Sequence, residues 1–238
     1  MALIKLNVGD FGKNCKLISQ INPDMYILTE NSSIANHFLA EIRDTEIQKD
    51  RARFRKNIER LGEILAYEVS KNMGYKPAKV ETPLGIKETR LLSQQPVLCT
   101  IMRAGLPLHQ GMLNYFDKAD SAFIGAYRGK HDAKENFDIE MDYISSPDIQ
   151  GRTLILCDPM IASGKSLEKA YHAMLRYGIP KRTYLVGAIA SSRGARFVQA
   201  RMPECRLYLG DLDQDLNDKS YIVPGLGDAG DLSYGNKT

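Results

Sequence analysis

The apolar positions of this chain change period several times, and each change marks an element. From Pro96 onward, short continuous apolar runs alternate with runs whose apolar residues recur every three or four positions: PVLCTIM, LPLHQGMLNYF, SAFIGAYR, TLILCD, SLEKAYHAMLRYG, TYLVGAIA, RGARFVQARM and CRLYLG. The continuous runs read as strands buried on both faces, and the amphipathic ones as the helices that cover them. The pattern predicts an α/β fold: a doubly wound, mostly parallel sheet with helices on each side.

Upstream the pattern differs. Residues 1–31 hold two apolar pieces, LIKLNV and MYILT, broken by Gly, Asn and Pro, which suit an edge strand or an arm. A helix is expected from Ser32 or Ser33 with Leu39 and Ile42 inward. A stronger one is expected over Lys49–Met73, where Phe54, Ile58, Leu61 and Leu65 fall on one face, with Gly74 as its C-cap. In KVETPLGIKETRLL, Pro83 and Gly85 separate two β-prone pieces, which predicts a hairpin. A hairpin outside the α/β alternation is the kind of arm that commonly serves a partner subunit. The stretch Gly129–Gln150 is polar, then alternates Phe137, Ile139, Met141 and Tyr143, as a half-exposed strand does after a mobile loop. The chain therefore divides as one domain over 1–238: N-terminal segment and helices over 1–75, hairpin arm over 76–95, core over 96–210 and a glycine-rich tail over 211–238.

Composition narrows the function. The 43% hydrophobic and 26% charged residues are those of a soluble globular protein, and a net charge of +3 is too mild to imply nucleic acid or a membrane. The basic run KDRARFRKNIER is read as the solvated face of the long helix. Cys15, Cys99, Cys157 and Cys205 form no C-x-x-C pair, which suits reduced core thiols. With no apolar run followed by a cleavage site at the N-terminus and no stretch of membrane-spanning length, a cytoplasmic protein is expected.

The chemistry concentrates in TLILCDPMIASGKS, Thr153–Ser166, followed by the amphipathic SLEKAYHAMLRYG. This is strand, small-residue loop, helix. Amides at a helix N-terminus hold anions, Gly164 permits close approach, and Ser163 and Ser166 offer hydroxyls to a phosphate. A nucleotide-triphosphate loop would need Gly where Pro159 stands, and no G-x-G-x-x-G follows a strand. Asp158 at the strand end is instead placed to meet ribose hydroxyls. Arg103, in IMRAGL, and Arg128, in AYRGK, each follow a strand, and arginine's planar fork suits phosphate and diphosphate. Ligands of such sheets bind at the carboxyl ends of the strands, so Arg103, Arg128, Asp158 and Ser191 are expected at one edge. His131 is read as a solvated loop residue. In the tail, Tyr221, Ile222, Val223 and Leu226 have apolar surface to bury, and exposed amides around Gly227, Asp228 and Ala229 suit a flat polar ligand read by its edge.

Together, DPMIASGKS after a strand, the MRAG and YR pieces, and the tail YIVPGLGDAGD resemble the uracil phosphoribosyltransferases, from about residue 40 to the C-terminus. Pro159 after the aspartate carries much of that likeness. The resemblance implies a type I phosphoribosyltransferase core with a C-terminal base-binding hood, and transfer from 5-phosphoribosyl diphosphate (PRPP) to uracil, giving UMP and diphosphate in pyrimidine salvage. By the same resemblance PRPP would be held by Arg103, Arg128, Asp158, Pro159, Met160, Ile161, Ala162, Ser163, Gly164, Lys165, Ser166 and Asp228. Uracil would meet Ile222, Gly227, Asp228 and Ala229. The catalytic set would be Asp158, Arg103, Arg128 and Asp228. Mg2+ would be held mainly through PRPP, with Asp228 as its protein contact, and a homodimer or higher homo-oligomer is implied. The chain departs from the family's usual DPMLATGGS loop at Ser163 and Lys165, lacks a glutamate-proline run after Arg128, and has Leu232 where an arginine is common. Two other readings stay open: a PRPP- or nucleotide-sensing regulator on the same fold, and a transferase for another pyrimidine-like base.

Overall fold

The computed structural model describes residues 25–131 and 137–237, with side chains over 126–142 left aside, so LIKLNV, Cys15 and the side chain of His131 lie outside the described residues. A main sheet of eight strands takes the order β1 (Met25–Ile27), β10 (Cys205–Asp213), β9 (Arg182–Ser191), β7 (Thr153–Cys157), β4 (Val97–Met102), β5 (Asp120–His131), β6 (Phe137–Ser145), with β8 (Met160–Ile161) beside β9. Every pair is parallel except β5 with β6. The α/β, mostly parallel architecture is the one that the apolar runs predict, and MYILT supplies the edge strand.

Side-chain alternation divides the core in two. Along β9, Tyr184, Val186 and Ala188 belong to one apolar cluster and Leu185 to the other, and the alternation shifts after Ala188, where Ile189 joins the first cluster and Ala190 the second. The first cluster is covered by α1 (Ala35–Arg43), α2 (Arg51–Ser70) and α3 (Leu106–Leu113), and the second by α4 (Lys165–Met174) and α5 (Ser192–Arg201). Buried strands with alternating helices need both layers, because each strand has apolar residues on both faces.

The long helix α2 shows how local sequence sets this up. Asp50 caps its start, accepting from the amides of Ala52 at 2.9 Å and Arg53 at 3.1 Å. Phe54, Ile58, Leu61, Leu65 and Val69 form the buried stripe, each contributing about 1.5–3 kcal/mol by leaving water. The stripe lies tight against α3: a Cβ on Gly62 would sit 2.4 Å from the Leu108 carbonyl oxygen, and one on Gly111 2.0 Å from that of Glu59. Gly74 is not the cap that the sequence suggests. The helix ends earlier, at Ser70, and Lys71 closes it in a right-handed conformation.

The predicted hairpin is present as β2 (Tyr75–Thr82) and β3 (Gly85–Leu92), paired from Tyr75 with Leu92 to Thr82 with Gly85. Leu84 at its tip is fully exposed. The tail adds β11 (Asp215–Leu216), β12 (Ile222–Val223) and a short helix, α6 (Ala229–Tyr234). Ile222, Leu226 and Ala229 join the cluster under α1–α3, whereas Tyr221 and Val223 keep 36% and 45% exposure. Among the described residues no helix is long and apolar enough to cross a membrane.

Candidate functional site

Strand order alone places the chemistry. β9, β7, β4 and β5 are consecutive neighbours and parallel, so Ser191, Asp158, Arg103 and the far end of β5 come out on one edge. Thr100 pairs with Cys157, which sets the turn after β4 beside the turn after β7. Arg128 departs from expectation. It does not follow β5 but lies inside it, paired with Ile139 of β6, and residues 129–131 are strand rather than loop. The antiparallel partner β6 prolongs β5 past the point where β4 ends.

The loop from Asp158 to Gly164 is bound to the sheet at both ends. Asp158 donates its amide to the Val186 carbonyl at 3.0 Å, and Ile189 donates to the Pro159 carbonyl at 3.0 Å. Met160 and Ile161 form β8 against Ile189 and Ala190. Ser191 then works from behind: its hydroxyl donates to the Ala162 carbonyl at 2.6 Å and accepts from the Gly194 amide at 2.8 Å. Ser191 is therefore a buried brace and the cap of α5, not a residue on an open edge.

Gly164 turns the chain into α4 with φ 78°, a left-handed conformation that favours glycine. A Cβ there would also lie 2.9 Å from Phe197 Cδ1 and from Val198 Cγ2. Lys165, the first helical residue, needs no such conformation and is exposed. Ser163 Oγ accepts from its amide at 3.5 Å. The N-terminal amides of α4 thus open onto the loop with Ser163 and Ser166 beside them, an arrangement suited to a phosphate.

Asp158 stands at the base of this loop. Burial pushes its carboxyl up to about 6, while the hydrogen bond from the Met160 amide, 3.2 Å long, pulls the other way. The carboxylate form gains most when hydroxyl or cationic groups replace the missing water.

Across the edge stands the tail. Arg103 Nη2 donates to Asp231 Oδ1 at 3.3 Å and to the Gly235 carbonyl at 3.1 Å, which draws α6 over the turn after β4. Asp228 caps α6, its Oδ1 accepting from the amides of Gly230 at 2.8 Å and Asp231 at 3.0 Å, with Oδ2 outside that cap. Of the three residues with amides expected to be exposed, only Gly227 is; Asp228 is half-buried and Ala229 is buried, because α6 starts there and packs inward. Beside Gly227 and Asp228 an open hollow of ≈ 380 Å³ runs to Gln48, Lys49, Arg51 and Asn236.

Several tail-holding residues escape a sequence reading. Arg55, within the basic run read as a solvated face, donates to the Ser233 carbonyl at 2.7 Å, with its guanidinium 5.8 Å from the Tyr234 ring. Arg43 at the end of α1 donates to Asp213 and Asp211, both at 2.8 Å, and to the Gly225 carbonyl at 2.9 Å. Burial opposes its charge, yet the carboxylates of Asp213 and Asp211 outweigh that and hold its pKa above the ordinary arginine value. One signal was available: Asp211 and Asp213 are two apart at a strand end, which puts both carboxylates on one face.

Among the described residues no group of three His, Cys, Asp or Glu side chains is placed to hold a metal ion. Cys99, Cys157 and Cys205 are buried free thiols.

A family model described as uracil phosphoribosyltransferase matches residues 29–236. A uracil phosphoribosyltransferase of Porphyromonas gingivalis is 49% identical over 206 residues, covering 86% of this chain and 95% of that protein. One from Pyrococcus furiosus is 38% identical over 209 residues, 87% of this chain and 88% of its own. The solved structure of a protein from Aquifex aeolicus superposes with a TM-score of 0.78 at 29% identity, over 89% of this chain and 98% of that one.

Proposed function

The chain belongs to the uracil phosphoribosyltransferase family, and on that premise we propose that it transfers the 5-phosphoribosyl group from PRPP to uracil in the cleft between the Asp158–Ser166 loop and the tail. The products are UMP and diphosphate. The observation that carries the site assignment is the Arg103 contact with Asp231 and Gly235, which brings the turn after β4 and the tail to one place.

In this reading the loop amides of Ile161 to Ser166, with the Ser163 and Ser166 hydroxyls, hold the 5′-phosphate, and Pro159 and Met160 set the turn that carries them. Lys165 adds a cation at the rim. Asp158 accepts from the ribose hydroxyls. Arg103 and Arg128 face the diphosphate, where two forked cations stabilise the charge that grows as the C1′–oxygen bond breaks. The backbone of Ile222, Gly227 and Ala229, with Asp228, reads the edge of the uracil ring. Its N1 forms the new bond to C1′ as the bond to diphosphate breaks, and the N1 proton leaves with the diphosphate to solvent.

Mg2+ fits this donor set as a companion of the substrate. The protein offers hard oxygens singly, Asp158 and the Oδ2 of Asp228, and Mg2+ is commonly bound by one or two carboxylates plus substrate phosphates. When bound it would neutralise diphosphate charge. The protruding hairpin, exposed on both faces, supports assembly as a homodimer or larger homo-oligomer, since an isolated two-stranded sheet is at best marginal in water. The free thiols and the lack of a spanning helix among the described residues fit a cytoplasmic salvage enzyme.

The test is UMP formation from labelled uracil and PRPP with Mg2+, run beside cytosine, thymine, orotate and hypoxanthine. Turnover with uracil alone is expected. Clear PRPP binding without turnover on any base would overturn the proposal.

A further inference from the structure

We propose that Arg43 is a positioning residue for the base: by clamping Gly225 it holds the segment Ile222–Gly227 in the conformation that recognises uracil. Gly225 is fixed through both of its backbone polar groups. Its amide donates to Asp213 Oδ2 at 3.2 Å, and its carbonyl accepts from Arg43 Nη1 at 2.9 Å. The same Nη1 donates to Asp213 Oδ2 at 2.8 Å, which closes a three-membered network around the two peptide units that flank Gly225.

The network is anchored on rigid parts. Asp213 is 6% exposed and ends β10, where it pairs with Ser191, and its carbonyl accepts from Ser192 Oγ at 3.0 Å. Asp211, which takes the second Arg43 nitrogen, also accepts from Thr29 Oγ1 at 2.7 Å. The Arg43 side chain is 19% exposed, so its hydrogen bonds operate largely away from water. The clamped residue has φ 62°, and a Cβ on it would meet the Ile222 carbonyl oxygen at 2.1 Å. Gly225 is thus the narrow point of the loop, between Ile222 and Gly227. The guanidinium spreads this work over two nitrogens, Nη1 serving Asp213 and the Gly225 carbonyl and Nη2 serving Asp211, in a rigid planar geometry that a single ammonium nitrogen does not supply.

The inference rests on the reading of Ile222–Ala229 as the base site. Arg43 touches neither proposed substrate, so its removal should act on uracil affinity and spare PRPP. Misplacement of a recognition element by about an ångström can cost on the order of 100-fold.

The experiment compares the parent with Arg43→Gln and with Arg43→Lys, the latter keeping a cation for Asp213 while giving up the fork. Three measurements are made on each: uracil KM against kcat, PRPP binding without uracil, and hydrogen exchange of the amides in 222–229 without substrates. The expected result is faster exchange in that segment, a uracil KM raised on the order of 10- to 100-fold, and PRPP affinity within about 2-fold of the parent. Arg43→Lys should fall between, which keeps the test valid if Arg43→Gln fails to fold. Unchanged exchange in both variants would overturn the clamp alone. Faster exchange with an unchanged uracil KM would overturn the base-site reading, and the proposal with it. Uracil and PRPP affinities falling in parallel would reduce Arg43 to a general support of the fold and overturn the proposal.

Discussion

Arg103 Nη2 lies 3.3 Å from Asp231 Oδ1 and 3.1 Å from the Gly235 carbonyl oxygen, so the cation that follows β4 also clasps the tail helix. One side chain thereby touches both halves of the cleft. Its two tasks can be separated by mutation.

Arg103→Ala should lower kcat/KM for PRPP by on the order of 100-fold or more, the size seen when one charge-stabilising group is lost. Asp231→Ala removes the carboxylate from the clasp and leaves the guanidinium in place. Because that ion pair is half-exposed, it should raise the uracil KM only a few-fold. Steady-state kinetics with each substrate varied in turn would check both, and equal effects of the two variants on PRPP would disprove the separation.

Asp158 sets a pH dependence. Burial raises its carboxyl from 3.8 to about 6, so in the free protein the carboxylate proposed to meet ribose is lost as pH falls below about 6. The kcat/KM for PRPP should then fall about tenfold per pH unit below that point, since this parameter reports the free enzyme. Substrate phosphates titrate in the same range, so the quantity to measure is the difference between the parent and Asp158→Asn, whose profile should lack this limb. The sign for stability is the reverse. A folded pKa above the unfolded one contributes stability that is full below about 4 and lost as pH rises through about 6.

His109 works in the opposite direction. It is 3% exposed on α3, with its ring 5.3 Å from that of Phe123, and burial lowers its pKa to about 4 against the hydrogen bond with Leu98. Its folded pKa lies below the unfolded value of 6.5, so its contribution is present above that value and lost as pH falls toward 4. Denaturant melts at pH 7 and pH 5 should show a smaller acid loss for His109→Gln than for the parent; an equal loss would show that the buried imidazole is not the cause.

Gly164→Ala would force a side chain into a left-handed turn and against Phe197 and Val198 at 2.9 Å. A cost of about 1–3 kcal/mol is expected, with a raised PRPP KM as the loop shifts. Lys165→Gly should lower the melting temperature less, because Lys165 is an exposed right-handed residue and the change costs at most about 1 kcal/mol of helix propensity. Thermal unfolding beside PRPP saturation would rank the two.

Much of this was legible in the residues, and the exceptions have physical reasons. Continuous apolar runs located β4, β7, β9 and β10, because a strand buried on both faces leaves no other pattern. Asp158 and Arg103 were legible as strand-end residues for the same reason. Arg128 was misjudged because polar residues after it looked like a loop, while antiparallel pairing with β6 kept them in a strand. Ser191 was expected at the ligand edge of the sheet and Asp228 as a ligand contact, yet each caps a helix through short-range bonds that sequence spacing does not separate from ligand binding. Arg43 and Arg55 were hidden because a charge on an amphipathic helix has the same signature whether it meets water or a distant backbone carbonyl.

The placement of the clamped tail also bears on how the protein is made. Residues 222–235 follow every strand of the main sheet in the chain, and they reach back to Arg43, Arg55 and Arg103, which were synthesised long before. A chain interrupted on the ribosome after β10 would already contain the segments that build the sheet and the Asp158–Ser166 loop, but on the proposed reading of the tail as the base site it would lack the groups that meet a pyrimidine. On that reading translation order makes base selection the last property the protein acquires, and a product truncated at this point would at most sequester PRPP and not consume it.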